Sequence, residues 1–114
     1  MTTAFRVKVL AVAVHLTAFG ALATSPAWAQ SPAEQRGRSF VRTNCSTCHS
    51  VEKHGASPLA IAPPFRNLHL RYPVENLAEA LAEGIRTGHP SMPEFQLDPG
   101  QIHDVIAYLK SLER

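Results

Sequence analysis

The chain has 114 residues with eleven basic and nine acidic side chains, a formal net charge of +2 and a sequence pI near 8.8. Arg6 and Lys8 lie in an N-terminal stretch that has no carboxylate, so residues 30–114 balance nine basic against nine acidic side chains. This balance gives no indication of nucleic-acid binding, and residues 30–114 suffice for one small domain with a marginal core.

The N-terminus is typical of a cleavable export signal. Arg6 and Lys8 give it a basic start, and residues 9–23 are mostly apolar. Ala27-Trp28-Ala29 matches the small-residue pattern of a cleavage site. We therefore predict a secretory signal peptide over residues 1–29.

Cleavage after Ala29 predicts a mature domain over residues 30–114, exported to the periplasm of a bacterium. Export would bring its two cysteines into an oxidising compartment. The alternative is an uncleaved membrane anchor, because residues 9–29 carry no charge and number close to the roughly 20 apolar residues that span a bilayer.

Four helical segments and no strand are predicted in the mature domain. The first begins at Ser31-Pro32-Ala33-Glu34, which combines a serine N-cap, a proline at the first helical position and a glutamate three residues on. It leads into Cys45. Residues 50–64 are predicted to form a loop, because glycine and prolines interrupt every helical period there.

The other three helical segments follow this loop. Phe65–Arg71 is predicted as a short helical turn, and a longer helix follows Pro73. The apolar face of that helix comprises Val74, Leu77, Leu81 and Ile85, and Gly84 and Gly88 near its end suit a left-handed cap. The last helix starts at Asp98-Pro99-Gly100-Gln101 and has a buried stripe of Ile102, Val105, Ile106, Leu109 and Leu112.

Residues 45–49 read Cys-Ser-Thr-Cys-His, the C-x-x-C-H signature of covalent haem attachment. Two thiols at this spacing can add to the two vinyl groups along one porphyrin edge. His49 is then held under the ring, where its imidazole can bind iron. We therefore predict one haem c attached through Cys45 and Cys48, with His49 as an iron ligand.

Two other kinds of site use paired cysteines. A redox-active C-x-x-C normally lies in an α/β pattern, which this sequence lacks. A zinc site needs two further ligands at suitable spacing, and the sequence has no second cysteine pair. Both alternatives fit Cys45 and Cys48 less well than haem attachment does.

Met92 is predicted as the second iron ligand. It is the only methionine in residues 30–114 and lies between Pro90 and Pro93. A loop flanked by prolines is a poor core position for a methionine, whereas a rigid loop would help to keep a weakly held thioether on the iron. Ligation by His and Met favours ferrous iron and raises the reduction potential. The alternative ligands are the remaining histidines, namely His54, His69, His89 and His103. His89 has the best position of these, because it lies three residues before Met92.

With these elements in place, the chain resembles the class I cytochromes c, which are small monohaem proteins with His/Met ligation. The resemblance covers nearly all of residues 30–112. It rests on Gly37-x-x-Phe40, the motif at 45–49, Ala62-Pro63-Pro64-Phe65, Gly88-His89-Pro90-Ser91-Met92-Pro93 and Val105-Ile106-Ala107-Tyr108-Leu109. It implies an all-α domain of about four helices wrapped around one covalently attached haem.

The resemblance also implies roles for individual residues. Pro63 matches the proline whose carbonyl accepts a hydrogen bond from the proximal imidazole, here His49, and Pro64 is the alternative. Gly37 matches the glycine that lets the first and last helices cross closely, opposite Tyr108. The candidates for holding the haem propionates are Arg66, Asn67 and Arg71.

The implied function is electron transfer in the periplasm, with the iron cycling between Fe(III) and Fe(II). We expect redox partner proteins, soluble or membrane-bound, and neither nucleic acid nor a small-molecule substrate. We expect no catalysis, because no nucleophile or general base is indicated. A second interpretation is a dedicated cytochrome subunit of a periplasmic dehydrogenase or oxidase. A third is a haem-based ligand sensor, which would require Met92 to leave the sixth iron position open.

Overall fold

The structure is a computed structural model that describes residues 29–84 and 92–114. Its elements are helix α1 (Pro32–Asn44), a 3₁₀ helix (Phe65–Leu70), a 3₁₀ turn (Val74–Asn76) that continues into helix α2 (Leu77–Glu83), and helix α3 (Pro99–Ser111). The described ranges contain no strand. The predicted all-α class is therefore confirmed.

Some predictions fall on residues outside the described ranges. These are the leader up to Trp28, together with Ile85, Gly88, His89 and Pro90. In the part of the chain that is described, no helix is both long enough and apolar enough to cross a membrane.

Helices α1 and α3 begin at the predicted caps. The hydroxyl of Ser31 accepts a hydrogen bond from the backbone N–H of Glu34 at 3.2 Å, and the Glu34 carboxylate accepts one from the N–H of Ser31 at 2.8 Å. Asp98 and Gln101 form the same reciprocal pair at 2.8 and 3.2 Å. Each pair provides acceptors for N–H groups that have no partner within the helix, so it fixes where the helix starts.

Helices α1 and α3 cross at Gly37, which is buried. A Cβ added to Gly37 would lie 2.9 Å from the Cβ of Tyr108 and would overlap the backbone carbonyl of Asp104. Glycine is therefore required for this close approach, and the crossing that the resemblance implies is present. An ion pair between Arg36 and Asp104, at 2.6 Å, flanks the crossing.

The hydrophobic core lies between α1, α3 and the segments that follow the cysteine motif. Its buried members are Val41, Val51, Leu68, Val74, Val105, Tyr108, Leu109 and Leu112. Of the stripe predicted on α3, Val105, Leu109 and Leu112 are buried, whereas Ile102 and Ile106 are half-buried. The core is small, and much of the remaining apolar surface lines a cavity.

The helix predicted after Pro73 begins with a 3₁₀ turn and becomes α-helical only at Leu77. Short 3₁₀ segments of this kind are common at helix N-termini. Helix α2 ends at Glu83 and is followed by Gly84 with φ +101°. A positive φ is readily adopted only by glycine, so the helix ends at a glycine as predicted, but with ψ +98° Gly84 lies outside the left-handed helical conformation of the predicted cap.

Candidate haem site

An apolar cavity of about 410 Å³ lies between the three α-helices and the loop after the cysteine motif. This volume is within the usual range of cofactor sites. Apolar side chains from every part of the domain contribute to its lining, among them Phe40, Leu68, Leu77, Leu81, Phe95 and Leu109. Four predicted site residues line it as well: Cys45, His49, Pro63 and Met92. This donor set and lining fit a haem.

Residues 45–49 form a turn that directly continues α1. The N–H of Cys45 donates to the carbonyl of Val41 at 2.8 Å, and the N–H groups of Cys48 and His49 donate to the carbonyl of Cys45 at 3.2 and 2.9 Å. Cys45 and His49 line the cavity, whereas Cys48 is half-buried and does not line it. The turn thus holds the two thiols and the imidazole together at the end of a helix.

The environment of Cys45 does not suit a redox-active dithiol. Burial raises the pKa of its thiol to about 11, with a smaller contribution from Cys48. A redox-active cysteine needs the opposite shift, because the thiolate is the reactive form. Nor do the described residues contain a group of three or more His, Cys, Asp or Glu side chains able to hold a metal ion. Neither alternative for the cysteine pair gains support.

His49 is 8% exposed, and its Nδ1 lies 2.8 Å from the carbonyl oxygen of Pro63. A carbonyl can only accept, so Nδ1 carries the proton. In the neutral imidazole, the lone pair is then on Nε2, which is buried. The ring of Phe65 packs against the imidazole, with centroids 4.9 Å apart and planes at 43°. The contact involves Pro63 and not Pro64, and it leaves His49 in the tautomer that can bind a metal.

Backbone hydrogen bonds bring Pro63 to the imidazole. The N–H of Leu59 donates to the carbonyl of Cys48 at 3.1 Å, and the N–H of Phe65 donates to the carbonyl of Ser50 at 2.9 Å. These two bonds tie both ends of the segment around Pro63 to the residues on either side of His49. The position of the Pro63 carbonyl is therefore fixed by main-chain contacts.

A polar cluster that the sequence analysis did not identify holds the start of this loop. The hydroxyl of Tyr108 donates to the carbonyl of Val51 at 2.8 Å and lies 3.3 Å from a carboxylate oxygen of Glu52. Arg38 makes two hydrogen bonds to the same carboxylate, at 3.0 and 3.2 Å. One signal was available, because a tyrosine on the buried side of a helix needs a partner for its hydroxyl. The sequence alone does not identify the hydrogen-bond acceptor of this hydroxyl.

Met92 is half-buried and enters the cavity from the segment that precedes α3. Phe95 and Leu97 of the same segment also line the cavity. The N–H of Leu97 donates to the carbonyl of Leu81 at 2.8 Å, which ties the segment to α2. The structure therefore brings Met92 and His49, 43 positions apart in the chain, to one cavity.

The other predicted candidates are distributed differently. Arg71 lines the cavity, whereas Arg66 and Asn67 do not. The guanidinium of Arg66 donates to the hydroxyl of Ser50 at 3.1 Å and to the backbone carbonyl of Glu52 at 3.5 Å. The alternative ligands His54, His69 and His103 are exposed and do not line the cavity, while His89 is outside the described residues.

The family model described as cytochrome c matches residues 34–113, which include the attachment turn, the cavity-lining segments and α3. The chain belongs to the cytochrome c family. As a class I c-type cytochrome it is an electron-transfer haem protein. Its single haem c is bound covalently through Cys45 and Cys48.

Two relatives agree with this membership. The cytochrome c domain is 29% identical over 77 residues to a protein named cytochrome c-553-like from Synechocystis sp., covering 68% of this chain and 67% of the relative. It is 30% identical over 92 residues to a protein named cytochrome c-552 from Bradyrhizobium diazoefficiens, covering 81% and 86%. No solved structure matches the chain significantly.

Proposed function

We propose that this cytochrome c is a periplasmic electron carrier, in which His49 and Met92 would hold the haem iron and the bound haem would supply the Fe(III)/Fe(II) couple. The observation that carries the proposal is the shared cavity. The attachment turn supplies Cys45 and His49 to it, and the segment before α3 supplies Met92. When bound, haem c supplies a one-electron couple between these two side chains.

His49 is oriented for ligation by the carbonyl of Pro63. Because Nδ1 donates to this oxygen at 2.8 Å, the Nε2 lone pair has a fixed direction. The hydrogen bond also makes the imidazole a stronger donor toward a metal. We propose Pro63 as the residue that sets the orientation and basicity of the proximal ligand.

Met92 and the apolar lining of the cavity would both raise the reduction potential of the haem. A thioether is neutral and favours ferrous iron. The apolar side chains around it, such as Phe95 and Leu97, keep water away from the site, and such surroundings disfavour the more highly charged ferric state. We therefore propose a reduction potential suited to a carrier and not to a strong reductant.

We further propose that the domain has no catalytic activity and no small-molecule substrate. Three side chains that could act as nucleophiles line the cavity, Cys45, His49 and Tyr72; haem attachment and ligation would use the first two, and most of the other lining residues are apolar. Redox partner proteins are then the donors and acceptors. Cleavage of residues 1–29 would deliver the mature domain to the periplasm.

A redox titration followed in the visible spectrum tests the electron-carrier proposal. The purified holoprotein should show one haem per chain, a single one-electron transition and, in the ferric state, the weak red absorption band of an iron–thioether bond. A ferric spectrum without that band, or an iron that binds added imidazole as readily as an open site does, would contradict ligation by Met92.

Cell fractionation with N-terminal sequencing tests the location. We expect the haem protein in the periplasmic fraction of a bacterial host, with a mature chain that begins at Gln30. Recovery of a chain that still contains residues 9–29 in the membrane fraction would instead identify the segment as an anchor.

A further inference from the structure

Helix α2 ends beside the segment that carries Met92. Gly84, the residue after α2, has φ +101° and ψ +98°. A Cβ added to Gly84 would lie 2.5 Å from Oε1 of Glu94, 3.3 Å from its Cδ and 3.4 Å from its Cγ. All three separations are shorter than the usual contact between non-bonded heavy atoms. The Glu94 side chain therefore occupies the space in which any other residue at position 84 would have its Cβ.

The Met92 segment, residues 92–97, is attached to α2 at two points. The N–H of Leu97 donates to the carbonyl of Leu81 at 2.8 Å, and the side chain of Glu94 packs against Gly84. Leu97 lies five residues after Met92, whereas Glu94 lies only two residues after it. The residue between Met92 and Glu94 is a proline, whose ring fixes φ and limits the freedom of the link. Of the two attachments, the Glu94 contact therefore controls the position of Met92 more directly.

Helix α2 is a suitable anchor because it is itself part of the cavity wall. Its side chains Leu77 and Leu81 line the cavity, so a segment attached to this helix has a defined position relative to the cavity. Glu94 is exposed and does not line the cavity. Its contact with Gly84 thus joins two lining segments at a point outside the lining, as packing that supports a binding residue does.

We propose that Gly84 and Glu94 are a positioning pair for Met92: Gly84 leaves room for the Glu94 side chain, and this contact keeps the thioether in place to hold the iron. The inference rests on the electron-carrier function proposed above and on ligation by Met92. A neutral thioether needs such support, because other ligands compete for the iron when the Met92 segment moves away.

The alternative is that Gly84 serves only the backbone path at the end of α2. A residue with a Cβ is strained at a φ of +101°, whatever surrounds it. Gly55 provides the comparison, because its φ is similarly positive at +93°. A Cβ on Gly55 would meet only the hydroxyl oxygen of Ser50, at 4.0 Å. Replacement of Gly55 by alanine thus reproduces the backbone strain without displacing a neighbouring side chain.

Imidazole titration of the ferric holoprotein measures how firmly Met92 is held. Added imidazole can bind the iron only when the thioether has left it. The apparent affinity is therefore the affinity of the open site multiplied by the fraction of molecules in which the site is open. The weak red band reports the exchange, since it disappears as imidazole replaces the thioether. We expect the wild type to bind imidazole far more weakly than Met92→Ala, in which no thioether competes.

Replacements at the two positions should weaken the hold on Met92. Glu94→Ala and Gly84→Ala should each raise the apparent affinity for imidazole by about threefold to tenfold, in line with the coupling between residues in contact. The double variant should bind imidazole no more tightly than the tighter single variant, since both changes remove the same contact. Glu94→Gln keeps the length of the side chain and should retain the wild-type affinity. Gly55→Ala is the matched control and should retain it too.

Four outcomes would overturn the proposal. The first is a wild-type affinity in Glu94→Ala, and the second is an equal rise in Gly55→Ala, which would indicate a general effect of destabilisation. The third is additive effects in the double variant, because the two residues would then act separately. The fourth is a Glu94→Gln protein that matches Glu94→Ala, which would assign the effect to charge and not to packing. Since Glu94 is exposed, its variants keep the test decisive even if Gly84→Ala does not fold.

The Met92→Ala background separates the position of the ligand from access to the cavity. In this background, Glu94→Ala should leave the imidazole affinity unchanged, because no thioether remains to be positioned. A rise as large as in the protein that contains Met92 would indicate wider access to the iron and would also overturn the proposal. A wild type that lacks the red band and binds imidazole as tightly as Met92→Ala would contradict ligation by Met92 itself. Failure of the proposed function is thereby distinguished from failure of the positioning pair.

Discussion

At the scale of single residues, the orientation of His49 depends on a backbone atom. The acceptor for its Nδ1 is the carbonyl of Pro63, an atom that every amino acid would supply at this position. What the sequence has to specify is the path of the chain, which two prolines and the backbone bonds of Leu59 and Phe65 define. Changes that move this backbone should therefore affect the iron ligand more than changes of the Pro63 side chain.

Replacement of Met92 tests the second ligand. In Met92→Ala we expect the weak red band of the ferric spectrum to disappear and the midpoint potential to fall, because the thioether that favours ferrous iron is gone. His89→Ala is the control, and it should retain both the band and the potential. If the wild type already lacked the band, and His89→Ala rather than Met92→Ala lowered the potential and opened the iron to added ligands, the second ligand would be His89.

Replacement of Tyr108 tests the polar cluster below the loop. Tyr108→Phe removes the donor to the buried carbonyl of Val51, and a buried polar group left without its partner costs about 1–3 kcal/mol. Urea denaturation of the holoprotein should show this loss. Glu52→Gln should cost less than about 1 kcal/mol, because the Glu52 side chain is 39% exposed and exposed ion pairs contribute little. A larger effect for Glu52 than for Tyr108 would reverse this ranking.

At the scale of elements, predictions from the sequence succeeded where the signal is local. The starts of α1 and α3 are each encoded within four consecutive residues, at Ser31 and at Asp98, and so could be predicted. The bond between Tyr108 and Val51 joins residues 57 positions apart, and no local pattern encodes it. The same applies to the cavity, whose lining comes from segments that meet only when the chain folds.

The site divides in the same way. The attachment motif could be identified from five consecutive residues, and Met92 from its position in a proline-rich loop. The sequence could not predict which of the three propionate candidates borders the cavity, because Arg66 and Arg71 look alike in sequence. Arg66 bonds to Ser50, whereas Arg71 lines the cavity, and this difference depends on the turn of a 3₁₀ helix.

The crossing of α1 and α3 can be tested with two glycine replacements. Gly37→Ala would place a Cβ against the backbone carbonyl of Asp104, and the helices would have to move apart. We expect a loss of at least about 2–3 kcal/mol in the free energy of unfolding, as for other overpacked core positions. Gly100→Ala is the matched control, because its Cβ would meet only the side chain of Asp98, at 3.2 Å. A Gly37→Ala protein as stable as the Gly100→Ala protein would contradict the steric argument.

At the scale of the whole molecule, the near-zero charge of residues 30–114 hides an uneven distribution. Ion pairs join α1, α3 and the C-terminus, whereas residues 53–74 have cations and no carboxylate. Ion pairs therefore connect α1, α3 and the C-terminus. Residues 53–74 instead contribute positive charge that no carboxylate of the same segment balances.

The paired carboxylates predict how stability depends on pH. The hydrogen bond from Arg36 holds the pKa of Asp104 below its usual value, and the backbone N–H of Ser31 does the same for Glu34. A carboxylate with a lowered pKa stabilises the folded state above its unfolded pKa, and this contribution is lost as the pH falls through the folded value. Stability should therefore be constant above about pH 5 and decline below about pH 4.

Urea denaturation between pH 3 and pH 6 measures this decline. Asp104→Asn should be less stable than the wild type at pH 6, and the difference should shrink as the pH falls toward 3, because the wild-type carboxylate then loses its charge progressively. Glu79→Gln, which alters an exposed carboxylate on α2, should follow the wild-type curve. A constant difference between Asp104→Asn and the wild type at every pH would exclude an electrostatic origin of the stabilisation.

The ion pair between Glu34 and Arg114, at 3.0 Å, determines where a second protein or a surface can be linked to the domain through either end. It places the first turn of α1 beside residue 114, so both ends of the described chain leave the fold at one corner. Neither residue lines the cavity. A retained leader, a fused protein or a chemical link to an electrode would thus hold the domain by that corner, whichever end it joined, and would not occupy the cavity lining.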